Sequence, residues 1–210
     1  MVKIITIERE YGSGGGDIAH QLADQLGWKL WDHQLTEEIA RLANCPQAVV
    51  ERREERNDPL YYRLFKSFLR GSYEGSLNAH KLNVVDSESI LKITERVVLH
   101  AAKHGNCVIV GRGSQHFLRD RQDTVRLFLY APPEEKIRRL LARGKSEQEA
   151  EVLVDTVDRE RADFIARYFG KKWPDRTLFH AMFNTALGDA TVVQSILNFV
   201  KTFDSQLTTA

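Results

Sequence analysis

A cluster of glycines lies between a β-branched hydrophobic segment, residues 2–7, and a segment with helical periodicity. The residues of this loop are Gly12, Ser13, Gly14, Gly15, Gly16 and Asp17. Successive glycines let backbone N–H groups turn toward one point, and a following helix adds its positive N-terminal end. The pattern predicts a loop that binds phosphate; the alternative is a tight strand–helix turn without a ligand.

The last residue of that loop, Asp17, allows two interpretations. A carboxylate is a hard oxygen donor, so Asp17 could ligate Mg²⁺ directly. Alternatively, Asp17 is an acidic residue at the start of a helix, where the helix dipole stabilises it. Asp17 also argues against a dinucleotide-binding fingerprint, because GxGxxG beginning at Gly12 needs a glycine at position 17.

Two arginines near predicted strand ends are candidate phosphate ligands. Arg9 lies just before the glycines, between Glu8 and Glu10, so a structural ion pair is the competing interpretation. Arg112 follows the hydrophobic segment CVIV and is flanked by two glycines. An arginine at the carboxyl end of a strand, with neighbours that allow close backbone approach, is a good bidentate phosphate ligand.

The elements that must position these residues alternate between strands and helices. This order predicts an α/β domain with a mainly parallel sheet and right-handed crossovers. Ligands in such folds bind outside the carboxyl ends of the strands, where segments 8–17, 32–33, 111–114 and 130–133 fall. In the second of these segments, Asp32 is a candidate to orient a substrate or a metal-bound water, or to cap the next helix.

Residues 46–85 interrupt this alternation. They are charged and aromatic, with helical periodicity and no convincing strand, which predicts a helical insertion between core units. One stripe of this insertion is aromatic and consists of Tyr61, Tyr62, Phe65 and Phe68. Such a stripe is typical of a core face or of a dimer interface, so a homodimer remains open.

Residues 146–170 form a long, highly charged predicted helix. Within it, Arg159, Asp163 and Arg167 are spaced at i, i+4 and i+8 and therefore share one face, with Arg161 near them in the chain. As a group they are candidates for phosphate binding. The alternative is an ordinary solvated face held by salt bridges.

The composition excludes several classes of protein. Among the 210 residues, 30 Lys and Arg nearly balance 29 Asp and Glu, unlike the strongly basic balance of general nucleic-acid binders. No apolar run approaches the ~18 residues of a membrane span. Cys45 and Cys107 are too isolated for a disulfide framework, which fits a reducing compartment. We therefore expect a soluble cytoplasmic protein that binds neither membranes nor nucleic acids.

Several motifs occur together along the chain: ITIEREYGSGG, WKLWD, CVIVGRG, VRLFLYAPPEEKIRRLLAR, VDRERADFIARYFGKKW and FNTALG. With this set the chain resembles the cytidylate kinase-like family of P-loop nucleoside monophosphate kinases. The resemblance implies a P-loop NTPase-type three-layer sandwich, ATP and Mg²⁺ as cofactors, and small-molecule nucleotides as partners. It also implies a single domain with a core at 1–45, 86–145 and 178–203, a monophosphate-binding insertion at 46–85 and a lid at 146–177.

The resemblance assigns roles to individual residues. Arg112 matches the arginine that contacts the monophosphate, and Asp32 matches an aspartate near the same site. The lid of such kinases carries arginines that close over the transferring phosphate, which correspond here to Arg159, Arg161 and Arg167. It also carries an aspartate, which corresponds to Asp163, a candidate substrate-binding residue.

The glycine loop departs from the Walker A pattern GxxxxGK[ST]. With Gly14 as the second glycine of the pattern, Gly15 stands in place of the lysine and Arg9 in place of the first glycine. The lysine normally reaches the β- and γ-phosphates. Another cation must then meet the γ-phosphate, and Arg9, Arg112 and the lid arginines are the candidates.

The resemblance therefore implies ATP-dependent phosphoryl transfer to a nucleoside monophosphate, with CMP or dCMP as the expected acceptor. The absent lysine, the absent Ser/Thr of the pattern, where Gly16 stands, and the acidic residues of the loop keep a nucleotide-binding module without useful phosphotransfer as an alternative. A kinase for another small substrate is a third option, because a fold does not determine a function.

Overall fold

The computed structural model describes residues 1–42 and 87–207. Five strands form its sheet: β1 (Ile4–Arg9), β2 (Lys29–Trp31), β3 (Cys107–Val110), β4 (Thr124–Tyr130) and β5 (Ala181–Asn184). All of them are parallel, in the order β2–β3–β1–β4–β5. Strands β1 and β3 are buried along their whole length, which explains their continuous β-branched sequences.

Seven helices are described between and after these strands: α1 (Gly15–Leu26), α2 (His33–Leu42), α3 (Ser87–Lys103), α4 (Ser114–Phe117), α5 (Pro133–Ala142), α6 (Glu147–Phe169) and α7 (Asp189–Leu207), the last of which follows β5. A 3₁₀ turn at Thr185–Leu187 follows β5. The sequence did not predict this turn or α4, because each is too short to show helical periodicity. In the described part of the chain, no helix has the length and apolar character that crossing a membrane would require.

Helices cover both faces of the sheet. Successive side chains of a strand point to opposite faces, so β1 contributes Ile4 to one hydrophobic cluster and Ile5 and Ile7 to the other. The first cluster includes α2, α3 and α6, and the second includes α1 and α7. The predicted α/β fold and its three-layer arrangement are confirmed.

Helices α5 and α6 meet over the start of the glycine loop. A third, smaller cluster joins Leu140 of α5 to Ala150 and Val157 of α6, and Tyr11 of the loop belongs to it. The C-terminal half of α6 also contributes Phe164 to the main core. Helix α6 is therefore packed against both the loop and the sheet.

The predicted division of the domain stays a prediction. The insertion at 46–85, with its aromatic stripe, lies wholly outside the described residues, and so does Cys45. Cys107 is free and buried in β3, where burial raises the pKa of its thiol to about 11. That thiol is protonated at neutral pH and serves packing.

Candidate functional site

The glycine loop joins the buried strand β1 to helix α1. Gly12 and Gly14 have left-handed φ values of +74° and +75°, which favour glycine because it has no Cβ. Gly14 caps the helix, so α1 begins at Gly15 with its first backbone N–H groups beside the loop. This geometry is suited to an anion such as phosphate.

Helix α5 packs directly on this loop. A Cβ at Gly12 would lie 3.1 Å from Cβ of Lys136, and one at Gly14 would lie 2.9 Å from Cζ of Arg139. These glycines are therefore required by the close approach of α5 as well as by backbone conformation. The sequence showed the glycines but not the helix that passes over them.

Thr185 and Arg139 anchor the loop to the end of β5. The Thr185 hydroxyl is buried and donates to the Ser13 carbonyl at 2.7 Å. Arg139 donates to the Thr185 carbonyl at 3.1 Å and to the Asp189 carboxylate at 2.7 Å. Sequence reasoning did not select these residues; the only signal was the FNTALG motif, which holds Thr185 but gives no chemical reason for it.

Arg9 is buried between the glycine loop and the loop that follows β3. Its Cβ and Cγ would lie 2.8 and 2.9 Å from a Cβ at Gly15, and its Cζ would lie 3.2 Å from a Cβ at Gly111. Its Nη1 lies 3.4 Å from Oε1 of Glu8, so the ion pair considered from the sequence is present. Glu10 instead pairs with Lys136 at 2.6 Å.

Arg112 is almost completely buried and has a left-handed φ of +58°, which is uncommon for a residue with a side chain. Its Nε and Nη2 donate to the hydroxyl of Thr36 in α2, at 3.1 and 2.6 Å. Burial, followed by the positive charge of Arg9, lowers the pKa of Arg112, and the negative charge of Asp32 partly offsets this. A bound anion would stabilise the charged guanidinium.

Arg161 extends from α6 to the start of the glycine loop. Its Nη1 donates to the Arg9 carbonyl at 2.9 Å and to Asp158 at 3.1 Å. Asp158 also accepts from the backbone N–H of Tyr11, at 2.8 Å. Burial, and then the positive charge of Arg9, lower the pKa of Arg161. Arg9, Arg112 and Arg161 thus form a group of buried guanidinium groups, here called the arginine cluster.

The other predicted residues of the long helix are exposed. Arg159, Asp163 and Arg167 share one face of α6, as their spacing predicted, but this face is open to solvent. Arg159 pairs with Asp155 at 2.6 Å. Arg161 lies about 200° around the helix from Arg159, because each residue turns an α-helix by about 100°. The described structure therefore brings only Arg161 of these four residues to the arginine cluster.

The two candidate aspartates differ in their surroundings. Asp17, in the first turn of α1, is partly exposed and pairs with Arg143 at the end of α5. Asp32 is buried, and its Oδ1 has no hydrogen-bond partner among the described residues. Within residues 1–42 and 87–207, no group of three or more His, Cys, Asp or Glu side chains could hold a metal ion by itself.

Several solved structures have a similar fold. An uncharacterized protein from Eubacterium ventriosum aligns with a TM-score of 0.68 and 21% identity, over 96% of this chain and 99% of its own. A shikimate kinase from Bacteroides thetaiotaomicron aligns over the same shares with a TM-score of 0.55 and 16% identity. A shikimate kinase from Acinetobacter baumannii, in complex with shikimate, aligns over 96% and 94% with a TM-score of 0.51 and 18% identity.

Sequence comparison identifies the family. No curated protein matches this chain at a significant level. The model of the cytidylate kinase-like family, however, matches residues 4–187, from β1 to the turn after β5, and so confirms the resemblance predicted from the motifs. The chain therefore belongs to the cytidylate kinase-like family, whose name and kinase-like fold indicate phosphoryl transfer.

Proposed function

We propose that this protein transfers the γ-phosphoryl group of ATP to a nucleoside monophosphate, with CMP or dCMP as the first candidates. The observation that carries the proposal is the position of the arginine cluster. Three buried guanidinium groups lie beside the N-terminal end of α1, at the carboxyl edge of a parallel sheet. Such a concentration of buried positive charge next to a glycine loop is suited to phosphate groups.

The loop at residues 12–16 is our proposed site for the ATP phosphates. Its left-handed glycines and the first turn of α1 supply backbone N–H donors, with Ser13 inside the loop. Thr185 and Arg139 hold the loop against β5 and α5, so the donors are fixed before a ligand arrives. Fixed donors stabilise developing charge better than mobile ones.

Arg112 is our proposed ligand for the acceptor phosphate. It lies at the end of β3, its charge is destabilised by burial, and Asp32 is close enough to affect its pKa. We assign Asp32 to orienting the acceptor. Arg161 would contact the transferring group from α6, whereas Arg159 and Arg167 could do so only after a rearrangement of the predicted lid. Asp163 would need the same rearrangement to contact the substrate.

Mg²⁺ in such sites is usually held by one or two carboxylates together with substrate phosphates, so a complete protein cage is not required. Asp32 fits this role best, because one of its oxygens is buried and lacks a hydrogen-bond partner among the described residues. Asp17 would first have to give up its ion pair with Arg143. A bound Mg²⁺ would neutralise charge on the phosphates.

The reaction needs positioning and charge neutralisation more than covalent chemistry. An oxygen of the acceptor phosphate attacks the γ-phosphorus in line, and the bond between this phosphorus and its bridging oxygen breaks. The products are a nucleoside diphosphate and ADP, and no covalent enzyme intermediate forms. Arg9, Arg112 and Arg161 would stabilise the charge on the transferring group.

One observation favours a second candidate, a nucleotide-binding module without useful phosphotransfer. Arg9, the cation nearest the position of the absent lysine, is paired with Glu8. If that pair does not open toward a phosphate, nucleotide could bind through backbone amides without stabilisation of the transition state.

A coupled assay with Mg-ATP separates the two candidates. We expect faster turnover with CMP or dCMP than with UMP or AMP. Shikimate is included in the assay as a small acceptor of another class. Thermal melts with and without ATP serve as the binding control. ATP-dependent stabilisation without turnover on any of these acceptors would reject the kinase proposal for them and favour the binding module.

A further inference from the structure

We propose that Arg9 occupies the space that the side chain of a Walker A lysine would need, and that it supplies the charge of that lysine from strand β1. This inference deepens the proposed function, on which its phosphate chemistry rests. The claim that Arg9 and a side chain at position 15 overlap is argued from interatomic distances in this chain alone. It names Arg9 as the residue that contacts the transferring phosphate between the donor loop and the acceptor loop.

The steric conflict is local and severe. Gly15 stands at the lysine position, and a Cβ there would lie 2.8 Å from Cβ of Arg9 and 2.9 Å from its Cγ. Real Cβ atoms essentially never make contacts below 3.0 Å. Arg9 cannot withdraw easily, because its backbone belongs to β1 and is in register with Leu129 of β4. A long side chain therefore fits at position 9 or at position 15, but not at both.

The rest of the Arg9 side chain crosses the gap between two loops. It leaves β1 beside Gly15 of the glycine loop and ends with Cζ against Gly111, the residue that precedes Arg112. Its charge also lowers the pKa of Arg112. Arg9 thus connects the proposed ATP phosphates to the proposed acceptor phosphate, where the transferred group must pass.

Glu8 fixes the direction of this side chain. Its Oε1 accepts from the backbone N–H of Arg9 at 3.1 Å and lies 3.4 Å from Nη1 of the same residue. Its Oε2 accepts from Gln115 of α4 at 2.7 Å. Glu8 and Gln115 are therefore positioning residues for the Arg9 guanidinium, and the ion pair is part of the site rather than an alternative to it.

The replacement changes what the cation can do. A lysine on the first turn of α1 presents one flexible ammonium, whereas Arg9 presents a planar guanidinium with several fixed N–H donors. Because Arg9 is rooted in the central strand, its charge is held by the sheet rather than by the loop. Such a group is suited to two phosphate oxygens at once.

A double-mutant cycle between positions 9 and 15 tests the steric part. We expect Gly15→Lys to lower the melting temperature when Arg9 is present, and to have little effect in the Arg9→Gly background, since both overlapping atoms of residue 9, Cβ and Cγ, are then gone. Gly15→Ala serves if Gly15→Lys does not fold, because a Cβ alone already meets Arg9. Equal effects of the substitution at position 15 in both backgrounds would overturn the overlap.

Calorimetric measurement of inorganic tripolyphosphate binding tests whether the positive charge of Arg9 contributes to phosphate affinity. Arg9→Ala should weaken binding at least ~10-fold, and Arg9→Gly/Gly15→Lys, which leaves no side-chain atom at position 9 to meet the lysine, should recover most of this loss. Arg119→Ala is the matched control, because this arginine is exposed and should leave the affinity unchanged. If Arg9→Ala does not fold, Arg9→Gln removes the charge at similar length.

Unchanged affinity in both neutral variants at position 9 would overturn the role of Arg9. Neither the steric cycle nor the tripolyphosphate measurement needs turnover. A wild-type protein that binds tripolyphosphate through Arg9 but phosphorylates no acceptor would therefore contradict the proposed function, and would leave the steric overlap and the phosphate-binding charge of Arg9 standing.

Discussion

The loops after β1 and after β3 leave the same edge of the sheet, yet they offer different groups to an anion. The glycine loop presents left-handed glycines and the start of α1, so its donors are backbone N–H groups. The loop after β3 presents Arg112, a buried guanidinium on a left-handed backbone. A phosphate site can therefore take its backbone N–H dipoles from one loop and its side-chain charge from a loop on the neighbouring strand.

The largest effect is expected when the charge of Arg112 is removed from the loop after β3. We expect Arg112→Ala to lower kcat/KM for phosphoryl transfer by at least ~100-fold, because charge stabilisation at a transferring phosphoryl group is lost. Steady-state kinetics with CMP as acceptor measure the effect. The glycine loop is intact in this variant, so ATP should still bind.

Arg112→Lys is the informative companion variant. Lysine keeps the positive charge but loses the planar fork, so it should recover only part of the rate. Thermal melts of both variants exclude a loss of folding as the cause. A wild-type rate in a folded Arg112→Ala protein would remove Arg112 from the mechanism and leave the glycine loop, with Arg9 and Arg161, as the site.

A smaller effect comes from the helix that docks on the first loop. We expect Arg161→Ala to lower kcat/KM by ~10-fold or more, since it removes a buried charge and a hydrogen bond to the Arg9 carbonyl. Arg159→Ala should have a clearly smaller effect, because Arg159 is exposed and pairs with Asp155. The reverse order would mean that the exposed face of α6 closes over the phosphate during catalysis.

The smallest effect concerns the stability of the second loop, which continues into α4. His116 in α4 is stacked on Phe169 at 4.3 Å between ring centroids, and burial lowers its pKa from 6.5 to about 4. As the pH falls, the unfolded chain takes up this proton first. The stability present above pH 6.5 is therefore lost toward pH 4, by about 2 kcal/mol between pH 7 and pH 5.

Urea unfolding at several pH values measures this loss. His116→Phe keeps an aromatic ring on Phe169 but cannot be protonated, so its stability should fall less over the same range. Identical pH dependence in the two proteins would show that His116 does not control the acid sensitivity of this region.

Much of the fold could be predicted from local patterns. The β-branched segments at β1, β3 and β4 and the amphipathic segments between them indicated the alternation, and parallel strands then required their loops to share one edge. Helix α4 escaped prediction because its four residues cannot show a period. The order of the strands and longer helices could therefore be predicted from the sequence, whereas the shortest elements could not.

Only part of the candidate site could be predicted from the sequence. Spacing predicted that Arg159, Asp163 and Arg167 share a face, but spacing alone does not say which face meets the protein. A better signal was present, since Arg161 lies in a stripe with Val157 and Phe164, both buried in the structure. The apolar neighbours of an arginine were thus more informative about its position than its charged neighbours.

Periodicity and glycine content were enough to indicate the strands, the longer helices and the edge of the sheet at which phosphate chemistry is expected. Three features became visible only in the folded chain: Arg9 excludes a side chain at Gly15, α5 covers the glycines, and Thr185 holds the Ser13 carbonyl. The physical reason is separation along the chain. Thr185 lies 172 residues from Ser13, and no local pattern encodes a contact that forms only when distant strands become neighbours in a sheet.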